Sequence, residues 1–451
     1  MTEDHFPPTF IKRMQASLGH HWSDFFTAHQ EPSTISIRNN PFKTTKEISA
    51  VSIPWAKDGR YLSERPSFTL DPTFHAGSYY VQEASSMFLE QAFTQAVDRD
   101  KALNVLDLCA APGGKSTHLL SLMNQNSLLV SNEVIQSRAS VLAENIQKWG
   151  HCNVVVTNND PKDFQRLQGF FDVIVVDAPC SGEGLFRKDA NAMREWSDDN
   201  VALCSQRQQR ILQDVWPSLK TGGILIYSTC TYNEAENEQN LKWLKEEFQV
   251  ETVPLKVEGE WGILEVEQNS IKGYRFFPHR VRGEGFFISV VRKVNDQTET
   301  RLHTKNAFAE PTASIKNRLS EWILQPEEKK IINRNDRFQF FPRNKTHEIE
   351  FLAKNLHLLS AGTYIATAKH EKLIPEHAVA LSIELNTAYF PSIPLEKPDA
   401  LQYLRKNALM WVPDKKGVGL ITYENIPLGW VNVLDNRMNN LYPSEWRIRI
   451  R

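Results

Sequence analysis

Between Leu103 and Val294 the chain alternates short apolar runs with longer stretches whose apolar residues recur at helical spacing. The runs "LNVLDL", "LLVSNE", "NVVVTN", "FDVIVVD" and "GGILIYST" predict five strands, and the helical stretches between and after them begin near Gly114, Gln136, Asn200 and Asn233. A lysine followed by two glycines in "LKTGG" predicts the stop of the helix before the fifth strand. Such alternation builds a mostly parallel sheet with helices on both faces. Two further runs, "GYRFFPH" and "GFFISVVRK", predict an antiparallel hairpin that closes the sheet.

Outside this region the patterning is weaker. "PTFIKRMQASLG" predicts a helix and "STISIRN" a strand in a small mixed module over residues 1–95, ahead of an α/β core at 96–295. The polar segment "NDQTETRLHTKN" reads as a linker. Beyond it, "FQFFPR", "AGTYIATAK" and "GVGLITYENIPLGWVNVL" predict short strands and "PEHAVALSIEL" one helix, divided between a connecting domain at 310–390 and a terminal domain at 395–451. A chain of 451 residues is long enough for roughly three domains.

Composition narrows the class without naming a function. A chain 41% hydrophobic and 24% charged, with a formal net charge of -2, reads as soluble and exerts no global pull on nucleic acid, so RNA contacts need local basic patches. The start "MTEDHFPPTF" carries acids and prolines where a secretory leader carries basic residues and an apolar run, and no stretch reaches membrane-spanning length. The five cysteines, Cys109, Cys152, Cys180, Cys204 and Cys230, form no C-x-x-C pair, which argues against zinc and for reduced thiols in the cytoplasm.

The chemistry gathers at strand ends. In open parallel sheets ligands bind beyond the carboxyl ends of the strands. Asp107 to Ser116 follow the first strand, Glu133 ends the second, Asp160 follows the third, "DAPCSGEG" from Asp177 follows the fourth, and "STCT" ends the fifth. The loop "CAAPGGKS" has Cys109 where a phosphate-wrapping loop needs glycine, and the adjacent Gly113 and Gly114 do not fit the dinucleotide fingerprint. Glu133, twenty residues after Gly113, can accept hydrogen bonds from both hydroxyls of a ribose, while the amides of the loop can hold a carboxylate. S-adenosyl-L-methionine has both groups and no phosphate. A plain strand-to-helix turn remains the alternative. If the fourth and fifth strands are neighbours, Cys180 and Cys230 face one pocket, where a thiolate adding to carbon 6 of a pyrimidine would make carbon 5 nucleophilic.

The segments "DLCAAPGGKS", "SNEVIQSRASVLAENIQKWG", "FDVIVVDAPCSGEGLFRKD", "GGILIYSTCTYNEAENE" and "YRFFPHRVRGEGFF", with "VQEASSM" upstream, together resemble the Nop/Sun family of RNA cytosine-5 methyltransferases, above all its bacterial RsmF-type ribosomal RNA branch. The resemblance implies an α/β fold: a class I (Rossmann-like) S-adenosylmethionine methyltransferase core, a small N-terminal α/β module of RNA-binding type and a C-terminal PUA-like RNA-binding region. It implies that Cys230 is the nucleophile, that Cys180 helps release the product, and that Asp177 lies at the target base and near the cofactor. By the same matching Cys109, Ala110, Ala111, Pro112, Gly113, Gly114 and Lys115 contact S-adenosyl-L-methionine, Glu133 its ribose, Asp160 its adenine amine and Arg138 its adenosyl group. Cys109, Cys152 and Cys204 read as packing thiols, and Lys188 as a surface lysine. In the terminal region Trp430, Tyr442 and Trp446 could stack on bases, with Arg437, Arg447, Arg449 and Arg451 on phosphates.

The implied partner is RNA, as ribosomal RNA or a small-subunit assembly intermediate, bound by a cytoplasmic monomer with no membrane contact and no metal. Transfer RNA as substrate, a non-catalytic RNA-binding assembly factor and a nucleotide-hydrolysing enzyme are the competing readings.

Overall fold

Ten strands form the central sheet of the computed structural model, which describes residues 6–43, 50–294, 307–370, 372–409 and 414–450. The predicted linker "NDQTETRLHTKN" and Arg451 lie outside the described residues. Ahead of that sheet, β1 (Ile35–Asn39), β2 (Val51–Ile53), β3 (Ala56–Leu62) and β4 (Tyr79–Val81) make a small sheet in the order β2-β3-β1-β4, preceded by helices Pro8–Leu18 and Trp22–Gln30.

The core strands are β5 (Asn104–Asp107), β6 (Leu128–Asn132), β7 (Val154–Thr157), β8 (Phe171–Asp177) and β9 (Leu219–Thr229), followed by β10 (Val250–Thr252), β11 (Leu264–Gln268), β12 (Ile271–Phe276) and β13 (Phe286–Lys293). Strands β5 to β9 pair in parallel in the order β7-β6-β5-β8-β9, so the order reverses between β5 and β8. Their apolar runs are buried on both faces, which is what parallel strands under helices require. The predicted hairpin is present as β12 and β13, and β13 lies antiparallel on β9.

Helices Gly114–Leu122, Gln136–Trp149 and Asp198–Val215 start within two residues of the predicted positions. Helix Gln136–Trp149 buries Ala139, Leu142, Ile146 and Trp149 on one stripe. Two boundaries differ. Helix Asp198–Val215 stops before Pro217, whose ring cannot continue it, and "LKTGG" belongs to β9 as an irregularity in its pairing with β8. The helix expected near Asn233 begins at Glu238; the side chains of Asn233, Glu236 and Asn237 ahead of it bond Glu183, Ser181 and Thr229.

The C-terminal third adds β14 (Lys329–Arg334), β15 (Arg337–Pro342), β16 (Leu358–Ala361), β17 (Thr363–Lys369) and β18 (Lys372–Pro375), then β19 (Ser392–Pro394), β20 (Gly417–Tyr423), β21 (Ile426–Val433) and β22 (Met438–Asn440). Strand β16 leaves its neighbours and pairs antiparallel with β7, completing the central sheet from the far end of the sequence. Helix Thr346–Asn355, just ahead of it in the chain, packs on the core, where Phe351 stacks on Phe170 with ring centroids 5.6 Å apart. "PEHAVALSIEL" is helical only over His377–Ala380, since the backbone of Ile383 and the hydroxyl of Ser382 turn to the carbonyl of Gly150. Among the described residues no helix is long and apolar enough to cross a membrane.

Because Phe351 is buried against the central sheet, Phe351→Ala is expected to cost about 3 kcal/mol of stability. Urea unfolding followed by fluorescence measures it; an unchanged midpoint would mean that the C-terminal third is not packed on the core.

Candidate active site

The reversal of strand order opens a crevice between the loops that follow β5 and β8. Along β5 the buried Asp107 ends the strand. Its Oδ2 accepts the Ser116 hydroxyl at 2.7 Å, while Oδ1 is buried and unpartnered, and burial pushes the carboxyl up to about 7. The chain then runs through Cys109, Ala110, Ala111 and Pro112 to Gly113, which enters helix Gly114–Leu122 with φ 116°. Two side chains from helix Gln136–Trp149 hold the loop by its carbonyls: Arg138 donates to Ala111 at 2.9 Å and Asn145 to Pro112 at 2.8 Å. The loop is thereby anchored at its back. The first-turn amides of helix Gly114–Leu122 have no partner within the helix. Cys109 packs against the hydrophobic core, and burial raises its thiol well above the ordinary range.

The buried Glu133 carboxylate follows β6, accepts the Ile135 amide at 2.9 Å and lies 3.5 Å from the Arg138 guanidinium. Arg138 therefore ties the first loop to the acid of the second. Asp160, beyond β7, caps the short turn that follows by accepting the Lys162 amide at 3.1 Å, and meets Arg210 at 3.4 Å. Asn132 joins these loops: its amide donates to the carbonyls of Leu108 (3.1 Å) and Asn159 (3.0 Å), and its oxygen accepts from Thr157 at 2.8 Å.

The fourth and fifth strands are neighbours, in a register that sets Asp177 opposite Ser228. Just past that pair the two thiols meet, with Cys180 Sγ 3.0 Å from Cys230 Sγ, and the Cys230 amide donates to Cys180 Sγ at 3.3 Å. The hydrogen bond to Cys230 is the largest influence on Cys180, followed by burial, and together they hold its thiol well above the usual range. Asp177 accepts the Ser228 hydroxyl at 2.9 Å and pairs with Lys115 Nζ at 2.7 Å. Burial, the largest single influence, opposes the Lys115 charge, but Asp177 together with Asp107 and Cys230 outweighs it and raises the pKa, and the ammonium also lies over the Phe286 ring at 5.3 Å. A fixed cation therefore stands within electrostatic reach of Cys230.

Several residues that fix this geometry are absent from the sequence-predicted set. Asn237 brackets Cys230, accepting the Thr229 hydroxyl at 2.6 Å and donating to the Thr231 carbonyl at 2.9 Å. Glu183, buried, accepts from Arg13 at 2.6 Å, Trp196 at 3.0 Å and Asn233 at 3.1 Å. Gly184 donates its amide to the Cys230 carbonyl at 2.8 Å, and an added Cβ there would fall 2.3 Å from the Gly285 carbonyl oxygen. Their only sequence signal is the density of Asn, Glu and Gly around each cysteine.

The expected base-stacking set is partly overturned. Trp430 and Tyr442 are buried: Trp430 donates its indole N–H to the Glu376 carbonyl at 2.8 Å, and Tyr442 packs edge-on against Tyr403. Tyr442 fills the core of the terminal domain, while Trp430 is buried in a cluster shared with the connecting domain, so neither presents a face for stacking. Trp446 is half-buried against His377, with Lys148 Nζ 5.0 Å from its ring centroid. Arg437, Arg447, Arg449 and Lys188 are exposed, while Cys152 and Cys204 are buried.

Residues 94–292 match the family of the 16S rRNA methyltransferase RsmB/F, residues 6–84 the N-terminal domain of 16S rRNA methyltransferase RsmF, and residues 390–448 the methyltransferase RsmF PUA domain. Ribosomal RNA small subunit methyltransferase F of Shewanella oneidensis is 31% identical, covering 97% of this chain and 96% of its own. The protein of that name from Escherichia coli O157:H7 is 30% identical over 98% and 96%. Among solved structures, a methyltransferase homolog protein from Pyrococcus horikoshii, 30% identical, superposes with a TM-score of 0.52 over 61% of this chain and 92% of its own. NSun6 from the same organism, solved with SFG, is 20% identical and shares the fold, with a TM-score of 0.54 over 65% of this chain and 99% of that one. With such identity sustained from end to end, the chain belongs to the RsmF family of 16S rRNA methyltransferases.

Proposed function

We propose that this protein methylates carbon 5 of a cytidine in 16S ribosomal RNA through a transient bond between Cys230 and carbon 6 of the base. The observation that carries the reading is the meeting of two thiols at 3.0 Å, beside an Asp177–Lys115 pair, on the edge of a methyltransferase sheet. Packing alone does not call for two cysteines at adjacent strand ends, each half-buried and facing the other.

The residues fit S-adenosyl-L-methionine, the cofactor of this family. Asp107 keeps one buried oxygen unpartnered, Glu133 presents a buried carboxylate at the end of β6, and the loop from Cys109 to Lys115 offers amides of a helix first turn to a carboxylate. Asp160 and Arg138 would complete the nucleoside side. Once bound, the cofactor supplies an electrophilic methyl group on a sulfonium.

The protein's own groups prepare the base to accept it. Cys230, as thiolate, forms a bond to carbon 6, and the displaced electron pair makes carbon 5 nucleophilic. Asp177 hydrogen-bonds the exocyclic amine or ring nitrogen of cytosine, which favours cytosine over uracil, and Lys115 holds that carboxylate in place. After carbon 5 has gained its methyl group, a general base takes its proton, the C–H electron pair restores the ring double bond, and the bond from Cys230 to carbon 6 breaks with its pair returning to sulfur. The Cys180 thiol, donating to that sulfur, stabilises it as a leaving group. The target base must be unstacked to reach the crevice, so a single-stranded or opened RNA site is expected.

Cys230→Ala is expected to abolish methylation of 16S rRNA and leave cofactor binding intact in calorimetry; turnover by this variant would sink the proposal. Cys180→Ala should accumulate a protein–RNA adduct, visible as a retarded band on a denaturing gel. For the cofactor assignment, Glu133→Ala should weaken S-adenosyl-L-methionine binding by roughly tenfold or more, since a charge-assisted hydrogen bond is worth about 1.5–3 kcal/mol. Unchanged affinity would remove Glu133 from the site.

A further inference from the structure

Six residues beyond Cys230, Glu236 is fully buried, and its carboxylate faces only donors. Oε2 accepts the Ser181 amide at 2.9 Å and the Gln208 amide group at 3.0 Å, while Oε1 accepts the Ser181 hydroxyl at 2.5 Å. Ser181 Oγ in turn lies 3.0 Å from Thr231 Oγ1. Ser181 directly follows Cys180 and Thr231 directly follows Cys230, so one carboxylate joins the two cysteine-bearing loops. Gln208 extends the clamp to the carbonyl of Pro179 at 3.0 Å, and the Tyr227 hydroxyl fixes the Glu236 carbonyl at 2.6 Å.

Burying a carboxylate among neutral partners costs desolvation energy, and burial raises the Glu236 pKa accordingly. A glutamine has the same shape but would set its NH2 either against the Ser181 hydroxyl, reversing that hydrogen bond and the one to Thr231, or against the Ser181 and Gln208 N–H groups. Only a carboxylate accepts from all three donors at once. The charge has a second effect, since it adds to the influences that keep Cys180 protonated.

We propose that Glu236 is a positioning residue for the cytosine-5 reaction: it binds Ser181 and, through it, Thr231, so that the Cys180 thiol donates its proton toward the Cys230 sulfur. The inference rests on the proposed roles of the two cysteines. The titratable groups surrounding the pair are Lys115 and Asp177 on the crevice side, Tyr227 from β9, Cys204 from helix Asp198–Val215, and Glu183 and Glu236 from the two loops.

The test compares Glu236→Gln and Ser181→Ala with the wild type in the full-length protein. Single-turnover methylation of 16S rRNA should fall roughly ten- to a hundredfold in Glu236→Gln, with the RNA KM little changed, because misplacing a reacting group acts on kcat. Iodoacetamide labelling of Cys180, read by peptide mass spectrometry over a pH series, should shift to lower pH by about one unit once the neighbouring negative charge is gone. Wild-type turnover overturns the proposal whatever the labelling shows. A slowed variant with an unmoved labelling profile also overturns it, by reducing Glu236 to an anchor for the loop. Should Glu236→Gln fail to fold, Ser181→Ala decides, since it keeps the carboxylate and loses only the hydroxyl bonds: reduced kcat supports the proposal and wild-type kcat overturns it. Labelling needs no RNA, and the adduct chemistry is read separately from Cys230→Ala, so failure here leaves that chemistry standing.

Discussion

The parallel pairing of β8 with β9, with Asp177 opposite Ser228, is the constraint on which the site depends. It brings Cys180, three residues beyond β8, and Cys230, the residue directly after β9, to a sulfur separation of 3.0 Å. Strand pairing alone sets such a distance only coarsely, because both thiols lie in loops. The remainder comes from buried polar side chains: Glu183, Glu236 and Asn237 each bridge segments around the two cysteines. A net hydrogen bond contributes only about 1 kcal/mol, but a buried donor left without its acceptor costs about 1–3 kcal/mol. The network therefore acts through penalty: a loop displaced from its place strands several donors at once, and the geometry is kept as a unit.

The same constraint reaches the cofactor side through shared elements. Helix Gln136–Trp149 holds the loop after β5 through Arg138 and Asn145, and at its other end Lys148 lies against Trp446 of the terminal domain. The loop after β7 is pinned from the opposite direction. Asn159 accepts the His357 amide at 2.9 Å and donates to the His357 carbonyl at 3.1 Å, so the residue just ahead of β16 fixes the turn that carries Asp160. The C-terminal third is thus both a strand of the catalytic sheet and a buttress for its ligand edge. An RNA gripped by the terminal domain would be held in fixed relation to the crevice, which suits a reaction that needs one base extruded while its flanks stay bound.

How much of this was legible follows from what each element is buried against. Strands β5 to β9 could be read because apolar runs buried on both faces leave a strong signal, and their ends mark the crevice in any doubly wound sheet. Cys180 and Cys230 could be brought to one edge by that logic, and Asp177 with them. Strand β16 could not: "LLSA" is four residues long, and its partner is two hundred residues earlier, where no local period points. Residues 233–237 read as the start of a helix because Asn and Glu are ordinary there, and only the fold shows their side chains turned to the loops of the two cysteines. Trp430 and Tyr442 carry the same chemistry whether they stack on a base or fill a core, so residue type could not separate the two.

The lysine of "GGKS" shows why the near-match to a phosphate loop misleads. In a phosphate loop the lysine reaches a phosphate oxygen of the nucleotide. Here Lys115 is committed to Asp177, on the neighbouring strand, and its charge is felt at Cys230. The glycines serve the turn into the helix, while the carbonyls of Ala111 and Pro112 are held from behind. A cation placed this way joins the cofactor loop to the acid that would meet the base and to the sulfur that would attack it. On the proposed chemistry the loop would take part in the covalent steps as well as in cofactor binding, and a change of Lys115 would act on both.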